Sequence, residues 1–155
     1  MFNILKKKKT IVAPVSGQVI PLSDVKDEVF SSGMMGDGIA IQPTDDIFVA
    51  PCDGEIVLIP ETKHAFGIKS TDGIELLIHI GLDTVMKKGQ GFQPLVKVGD
   101  KVKKGTPVIK VDVEFFHQEG ISLVTPVIIL NDNGKSLKKL SVENCQSGTT
   151  TMIEY

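Results

Sequence analysis

Short apolar runs in this chain alternate with polar residues at a period of two and end at glycine or proline. The clearest is residues 73–85, GIELLIHIGLDTV, where Ile74, Leu76, Ile78 and Ile80 take one strand face and Leu77 and His79 the other. Gly81 ends that strand, and Asp83 and Thr84 follow as turn or cap residues. His79 is therefore expected at a strand end, where side chains meet solvent and ligands.

The same pattern recurs along the chain. Fifteen glycines and eight prolines punctuate Val- and Ile-rich runs, which predicts an all-β fold, a flattened antiparallel sandwich or barrel of many short strands with a few short helical turns. Residues 10–15 and 18–22 read as two strands joined by a tight turn at Ser16-Gly17. Residues 47–60 repeat the arrangement: IVAPVSGQVIPL and IFVAPCDGEIVLIP share V-A-P-x-x-G-x-[IV], with proline ending one strand and glycine supplying a positive φ. This points to a duplicated β motif of the hybrid type. Between the copies, residues 23–38 form an irregular surface loop with one turn of helix around residues 24–30, and it carries Phe30, Met34 and Met35. Further on, Gly99-Asp100 and Gly105 make turns, residues 113–120 form a short helix, and residues 122–130 form a strand that Pro126 marks as an edge or a bulge. Residues 149–154 read as a last strand.

A length of 155 residues with 41% hydrophobic and 23% charged residues fits one compact domain, expected over residues 10–155 after a basic tail of residues 1–9. The chain reads as a free-standing domain. A net charge of −2 and the absence of a basic face argue against nucleic acid as a partner. No apolar run approaches the roughly 20 residues of a membrane span. Cys52 and Cys145 form no pairing motif, and the N-terminus is not an export signal, so reduced thiols in a cytoplasm are expected.

The chemistry rests on three histidines. His117 lies between Glu114 and Glu119 and reads as a surface residue. A hairpin register that sets Phe66 opposite Leu77 would set His64 opposite His79, at roughly 5 Å between Cβ atoms. Such a pair suits two chemistries. With Asp83 it could supply the three ligands of a catalytic zinc site, but a hydrolase also needs a base, and Glu75, the nearest acid, is assigned to the strand face opposite His79. Phosphoryl transfer suits the pair better. A neutral imidazole attacks phosphorus in line, His64 donates an N–H to the transferred oxygens, Thr62 orients His64, and apolar surroundings keep the acceptor neutral and dry.

Four separated stretches, LLIHIGLDTV, TKHAFGI, VFSSGMMGDGIAIQPT and VAPCDGEI, together resemble the glucose-family enzyme IIA domain of the bacterial phosphoenolpyruvate-dependent sugar phosphotransferase system. The likeness runs from about Thr10 to the C-terminus. It implies a relay in which His79 accepts phosphate through Nε2 from the histidine-containing phosphocarrier protein and passes it to a cysteine of the permease IIB domain. It further implies that the Gly81 carbonyl holds Nδ1–H of His79, that His64 contacts the phosphate, and that Thr62 orients His64. The implied docking face comprises Val29, Phe30, Met34, Met35, Phe66 and Leu77, with Asp27 and Asp83 as its acids. No cofactor is implied for the transfer. A zinc ion held by His64 and His79 at a regulatory interface, and other metabolic proteins bound by the unphosphorylated form, are further implications of the family.

IVAPVSGQV and VKVGDKVKKGTPVIKVD also look like the half-motifs of biotinyl and lipoyl carrier domains. The modified lysine of those carriers, in its hairpin-turn context, is missing here, so the likeness is read as shared β construction.

Overall fold

The structure is a computed structural model that describes residues 8–155. The expected basic tail lies outside the described residues as far as residue 7. Along the chain run β1 (Thr10–Val12), β2 (Gly17–Pro21) and β3 (Gly38–Pro43), then β4 (Ile47–Val49), β5 (Gly54–Leu58), β6 (Ala65–Ser70), β7 (Glu75–His79), β8 (Phe92–Pro94), β9 (Lys101–Val102) and β10 (Pro107–Val111). The chain closes with β11 (Thr125–Asn131), β12 (Lys138–Lys139), β13 (Asn144–Cys145) and β14 (Thr151–Glu154). Two short helices, α1 (Glu28–Ser31) and α2 (Val113–Gln118), complete it with two 3-10 turns, Leu22–Asp24 and Thr84–Lys87. No helix among the described residues is long and apolar enough to cross a membrane.

All strand pairs are antiparallel. An eight-stranded sheet has the order β13-β2-β3-β11-β7-β6-β5-β9, and two three-stranded sheets have the orders β1-β14-β12 and β4-β10-β8. The expected sandwich is what forms. One face of the large sheet contributes Ile41, Phe66, Ile68, Leu76 and Ile78 to a core closed by Ile11, Phe48, Ile109 and Ile153 of the small sheets. Its other face carries a smaller cluster, in which Leu22, Val25 and Phe30 cover Ala40, Ala65, Leu77 and Ile128. The period-two reading of β7 holds: Ile74, Leu76, Ile78 and Ile80 are fully buried in the main core, and Leu77 faces the smaller one.

The sheet orders show an internal two-fold. Taken inward from its two edges, the large sheet reads β13-β2-β3-β11 and β9-β5-β6-β7, and each small sheet repeats the other. The two V-A-P segments bond reciprocally, Val12 N–H to the Pro51 carbonyl at 2.9 Å and Val49 N–H to the Pro14 carbonyl at 2.7 Å. The duplicated motif is thus real, and it is nested: the unit β4–β10 is inserted between β3 and β11 of the other.

Four local expectations are corrected. Ser16-Gly17 is not a hairpin turn, since β1 and β2 enter different sheets. The repeat's glycines share close approach and not positive φ, which Gly17 has at 159° and Gly54 lacks: a Cβ would stand 2.1 Å from the Gln42 carbonyl oxygen at Gly17 and 2.3 Å from that of Lys69 at Gly54. The helical turn expected over residues 24–30 divides in two, because Asp27 caps a separate α1 by accepting the Val29 N–H at 3.0 Å. Pro126 lies buried in β11 between β3 and β7, neither at an edge nor at the β11 bulge, which falls at residues 129–131. The β11–β7 ladder begins at Val127↔Ile78, one position short of His79 at the end of β7, so the missing N–H falls where that ladder stops.

Candidate functional site

The β6–β7 hairpin builds the site, with a register one residue from the expected one. Phe66 lies opposite Ile78 and Ala65 opposite His79. The cause is the turn: Thr71, Asp72 and Gly73 form a three-residue loop with Gly73 left-handed at φ 82°, and Ser70 pairs with Ile74. His64 falls one residue before β6, and its carbonyl accepts the Ile80 N–H at 2.7 Å. Lys63, left-handed at φ 59°, turns the chain into that position. The two imidazoles still meet, with ring centroids 4.8 Å apart at 77°. On another side of His79 lies the Phe30 ring, at 4.8 Å.

Each imidazole has its Nδ1 engaged. His79 Nδ1 lies 2.8 Å from the Gly81 carbonyl oxygen, which only accepts, so the neutral ring carries its proton on Nδ1 and leaves a lone pair on Nε2. His64 Nδ1 lies 2.7 Å from the Thr62 hydroxyl. When that hydroxyl donates, His64 bears its own proton on Nε2 and becomes a donor. Burial lowers both pKa values. That of His64 falls to about 4, through burial first and the nearby His79 charge second. Burial also lowers His79, against the opposing pull of the Gly81 carbonyl and of the Asp27 and Asp83 carboxylates. Both rings are neutral at pH 7.

Of the expected docking residues, Val29, Met34 and Met35 are exposed, Met34 at 79%. Phe30 and Leu77 are buried beneath them in the smaller cluster. Phe66 is corrected: with Ile78 as its partner it points into the main core and is 0% exposed. Asp83 is exposed and left-handed at φ 62°. Beyond it Val85 and Met86 add exposed apolar surface, Met86 at 73%. The sequence reading passed over this pair, though two apolar residues between a turn and two lysines leave little room for a core strand.

The zinc reading loses its ligand set. Among the described residues no three His, Cys, Asp or Glu side chains gather as a metal site, so Asp83 does not join the two imidazoles. Glu75 does lie on the His79 face, contrary to the sequence reading, since four residues separate them along β7. It sits about 13 Å away at the other end of the strand. His117 is exposed on α2, as expected. The segments resembling biotinyl and lipoyl carriers are β1–β2 and β9–β10, pieces of the duplicated unit.

The model of the family described as phosphoenolpyruvate-dependent sugar phosphotransferase system, EIIA 1, matches residues 9–134. The chain belongs to that family. Among relatives of this EIIA chain, the glucose-specific EIIA component of Bacillus anthracis is 43% identical over 148 residues, which is 95% of this chain and 90% of that protein. The glucose-specific EIICBA component of Staphylococcus carnosus is 43% identical over 143 residues, 92% of this chain. The chain spans only 21% of the length of that larger relative. The solved structure of glucose permease IIA from Mycoplasma capricolum superposes with a TM-score of 0.89 at 38% identity, covering 99% of each chain. The EIIA fold and the phosphotransferase-system family therefore stand together.

Proposed function

We propose that residues 10–155 act as one phosphocarrier unit, with His79 as the phosphoryl acceptor. The observation that carries the reading is the neutral imidazole whose Nδ1–H is held at 2.8 Å by a carbonyl, which aims a lone pair out through Nε2 beside a second imidazole. In the forward step the N–P bond of a phosphohistidine on the phosphocarrier protein breaks as the Nε2–P bond on His79 forms. No proton need move, because Nδ1 keeps its own. His64, through Nε2–H, donates to the phosphoryl oxygens, and Thr62 holds it in the tautomer that can do so. In the second step the phosphoryl group leaves for a cysteine thiolate of a IIB domain; the EIICBA relative carries the IIB and IIC modules in one chain with its EIIA part, which supports that direction. Glucose is the substrate class named for the relatives and the one proposed for the permease served here.

Val29, Met34 and Met35 form the apolar contact surface in this reading, with Asp27 and Asp83 as acids for a basic partner. Transfer from nitrogen to nitrogen or sulfur needs no metal. Among the described residues a divalent ion would find only the two Nε2 atoms here, so its other ligands would come from water or a bound protein.

The test is phosphate incorporation from labelled phosphoenolpyruvate with enzyme I and the phosphocarrier. Wild type is expected to gain acid-labile label. His79→Ala should gain none. His64→Ala should gain label but pass it to a IIB domain at least about tenfold more slowly, the lower range for one lost donor. Label on His79→Ala, or none on wild type with an active carrier, overturns the assignment.

A further inference from the structure

The carbonyl that fixes the His79 tautomer belongs to a glycine with no room to move. Gly81 is left-handed at φ 87°, and a Cβ there would lie 2.4 Å from Thr84 Cγ2 and 2.8 Å from the Ser122 carbonyl oxygen. Both peptide planes around it are held. The 81–82 peptide donates its N–H to the Ser122 carbonyl at 3.0 Å, and its own carbonyl, on the opposite edge, faces His79 Nδ1. The preceding carbonyl, that of Ile80, accepts the Thr84 hydroxyl at 2.6 Å. Thr84 is 0% exposed, a polar side chain fully buried one turn beyond the histidine. A buried hydroxyl without a partner is costly, so its single acceptor is a firm constraint. Asp83, left-handed at φ 62°, folds the chain back so that the hydroxyl reaches Ile80.

We infer that Thr84 is a positioning residue for phosphoryl transfer: its hydroxyl and methyl lock residues 80–82 so that the Gly81 carbonyl stays on His79 Nδ1 and Nε2 stays the nucleophile. The inference rests on the phosphoryl-transfer reading of His79. The Thr84 hydroxyl bonds a backbone carbonyl and not the imidazole, so it acts through the backbone. Without the hydroxyl the 80–81 peptide loses that restraint, the Leu82 N–H bond to Ser122 alone braces the 81–82 peptide, and the Gly81 carbonyl tilts off Nδ1 part of the time. His79 then exchanges between tautomers. In the Nε2–H form the attacking lone pair is gone.

The experiment compares wild type with Thr84→Val and Thr84→Ser by 15N spectra of the histidine rings and by transfer kinetics from the phosphorylated carrier. Thr84→Val should show a mixture of His79 tautomers and a fall of about ten- to a hundredfold in kcat, with KM for the carrier unchanged, as expected for a nucleophile out of position on an intact docking face. Thr84→Ser should restore the single Nδ1–H tautomer and most of the rate. A valine variant that keeps the single tautomer and the wild-type kcat overturns the inference. Should the valine variant not fold, wild type itself decides: the Thr84 hydroxyl proton must exchange slowly enough to be seen beside the Ile80 carbonyl, and a rapidly exchanging hydroxyl overturns the lock. The tautomer measurement needs no phosphate. A wild type that never takes label therefore refutes the transfer reading, and the spectra still judge Thr84.

Discussion

An imidazole free in water, with a pKa near 6.5, is about three-quarters protonated at pH 6. Burial changes that for both histidines, and it is the larger cause in each. Phosphate acceptance by His79 is accordingly expected to lose half its rate only at a pH below 6.5, when the carrier's own titration is corrected for. A rate that halves near pH 6.5 would show an unshifted imidazole. The same shift enters stability. The folded pKa of His64 lies below its unfolded value, so the unfolded chain takes up the proton first, and the stability this ring contributes above pH 6.5 is lost as pH falls toward about 4. Urea midpoints measured from pH 7 to pH 4 should fall less steeply for His64→Gln than for wild type, with the Asp27 and Asp83 carboxylates common to both.

At the scale of elements, the loop from Leu22 to Asp37 is what makes the outer face of the sheet apolar enough for this chemistry. Phe30 is its anchor, buried at one end and against His79 at the other. Phe30→Ala should cost about 3 kcal/mol in unfolding free energy, the low end for a large aromatic, since the cluster it leaves is small and peripheral. It should also raise the His79 pKa toward 6.5 and shorten the life of the phosphorylated form, read by NMR titration and by label loss. The loop shows where the sequence was legible. Apolar residues among glycines marked it as more than a connection, yet no pattern told Phe30, turned inward by the Asp27 cap, from Met34 beside it. β7 was legible for the opposite reason: alternating burial enforces period two, and Ile74, Leu76, Ile78 and Ile80 obeyed it. The pairing of β7 with β6 was not legible to one residue, because two- and three-residue turns differ only in backbone dihedrals at Gly73. That single step put Phe66 in the core. His64, His79 and Thr62 were brought together by the hairpin register and the chemistry of the pair, Gly81 through a family likeness, and their contacts needed coordinates. Pro126 escaped reading because its missing donor falls at the very position where the β11–β7 ladder stops.

For the whole molecule, the two-fold relates like backbone to unlike chemistry. The bond from Ile80 N–H to the His64 carbonyl has its counterpart in Ile129 N–H to the Asp37 carbonyl, at 2.8 Å. Asp37 thus stands where His64 does, and Ile128 where His79 does. There Asp37 is held by Lys139 at 2.7 Å, and that hydrogen bond lowers its pKa. One scaffold carries the histidine pair in one copy and an ion pair in the other. The site also draws on both copies: His64 and His79 come from the inserted unit, Phe30 and Asp27 from its host.

Because one unit sits inside the other, the host is completed only by strands far apart in the chain, β1 against β14, and next to that pair Lys9 and Tyr155 exchange backbone bonds of 2.8 and 3.0 Å. Two segments that lie side by side can be joined, and the ring so formed can be cut elsewhere. Linking residue 155 to residue 9 through a short glycine bridge, and opening the chain between Pro43 and Ile47, would write β4–β10 first and β11–β14, β1–β3 second. Each copy would then be contiguous for the first time. Such a rearranged chain is expected to fold, to keep the tilted contact between His79 and Phe30, and to take up label at the wild-type level. It should also refold faster, since contacts now more than a hundred residues apart would become local ones; stopped-flow refolding of the two chains is the measurement, and equal rates would show that closure of the host unit does not limit folding.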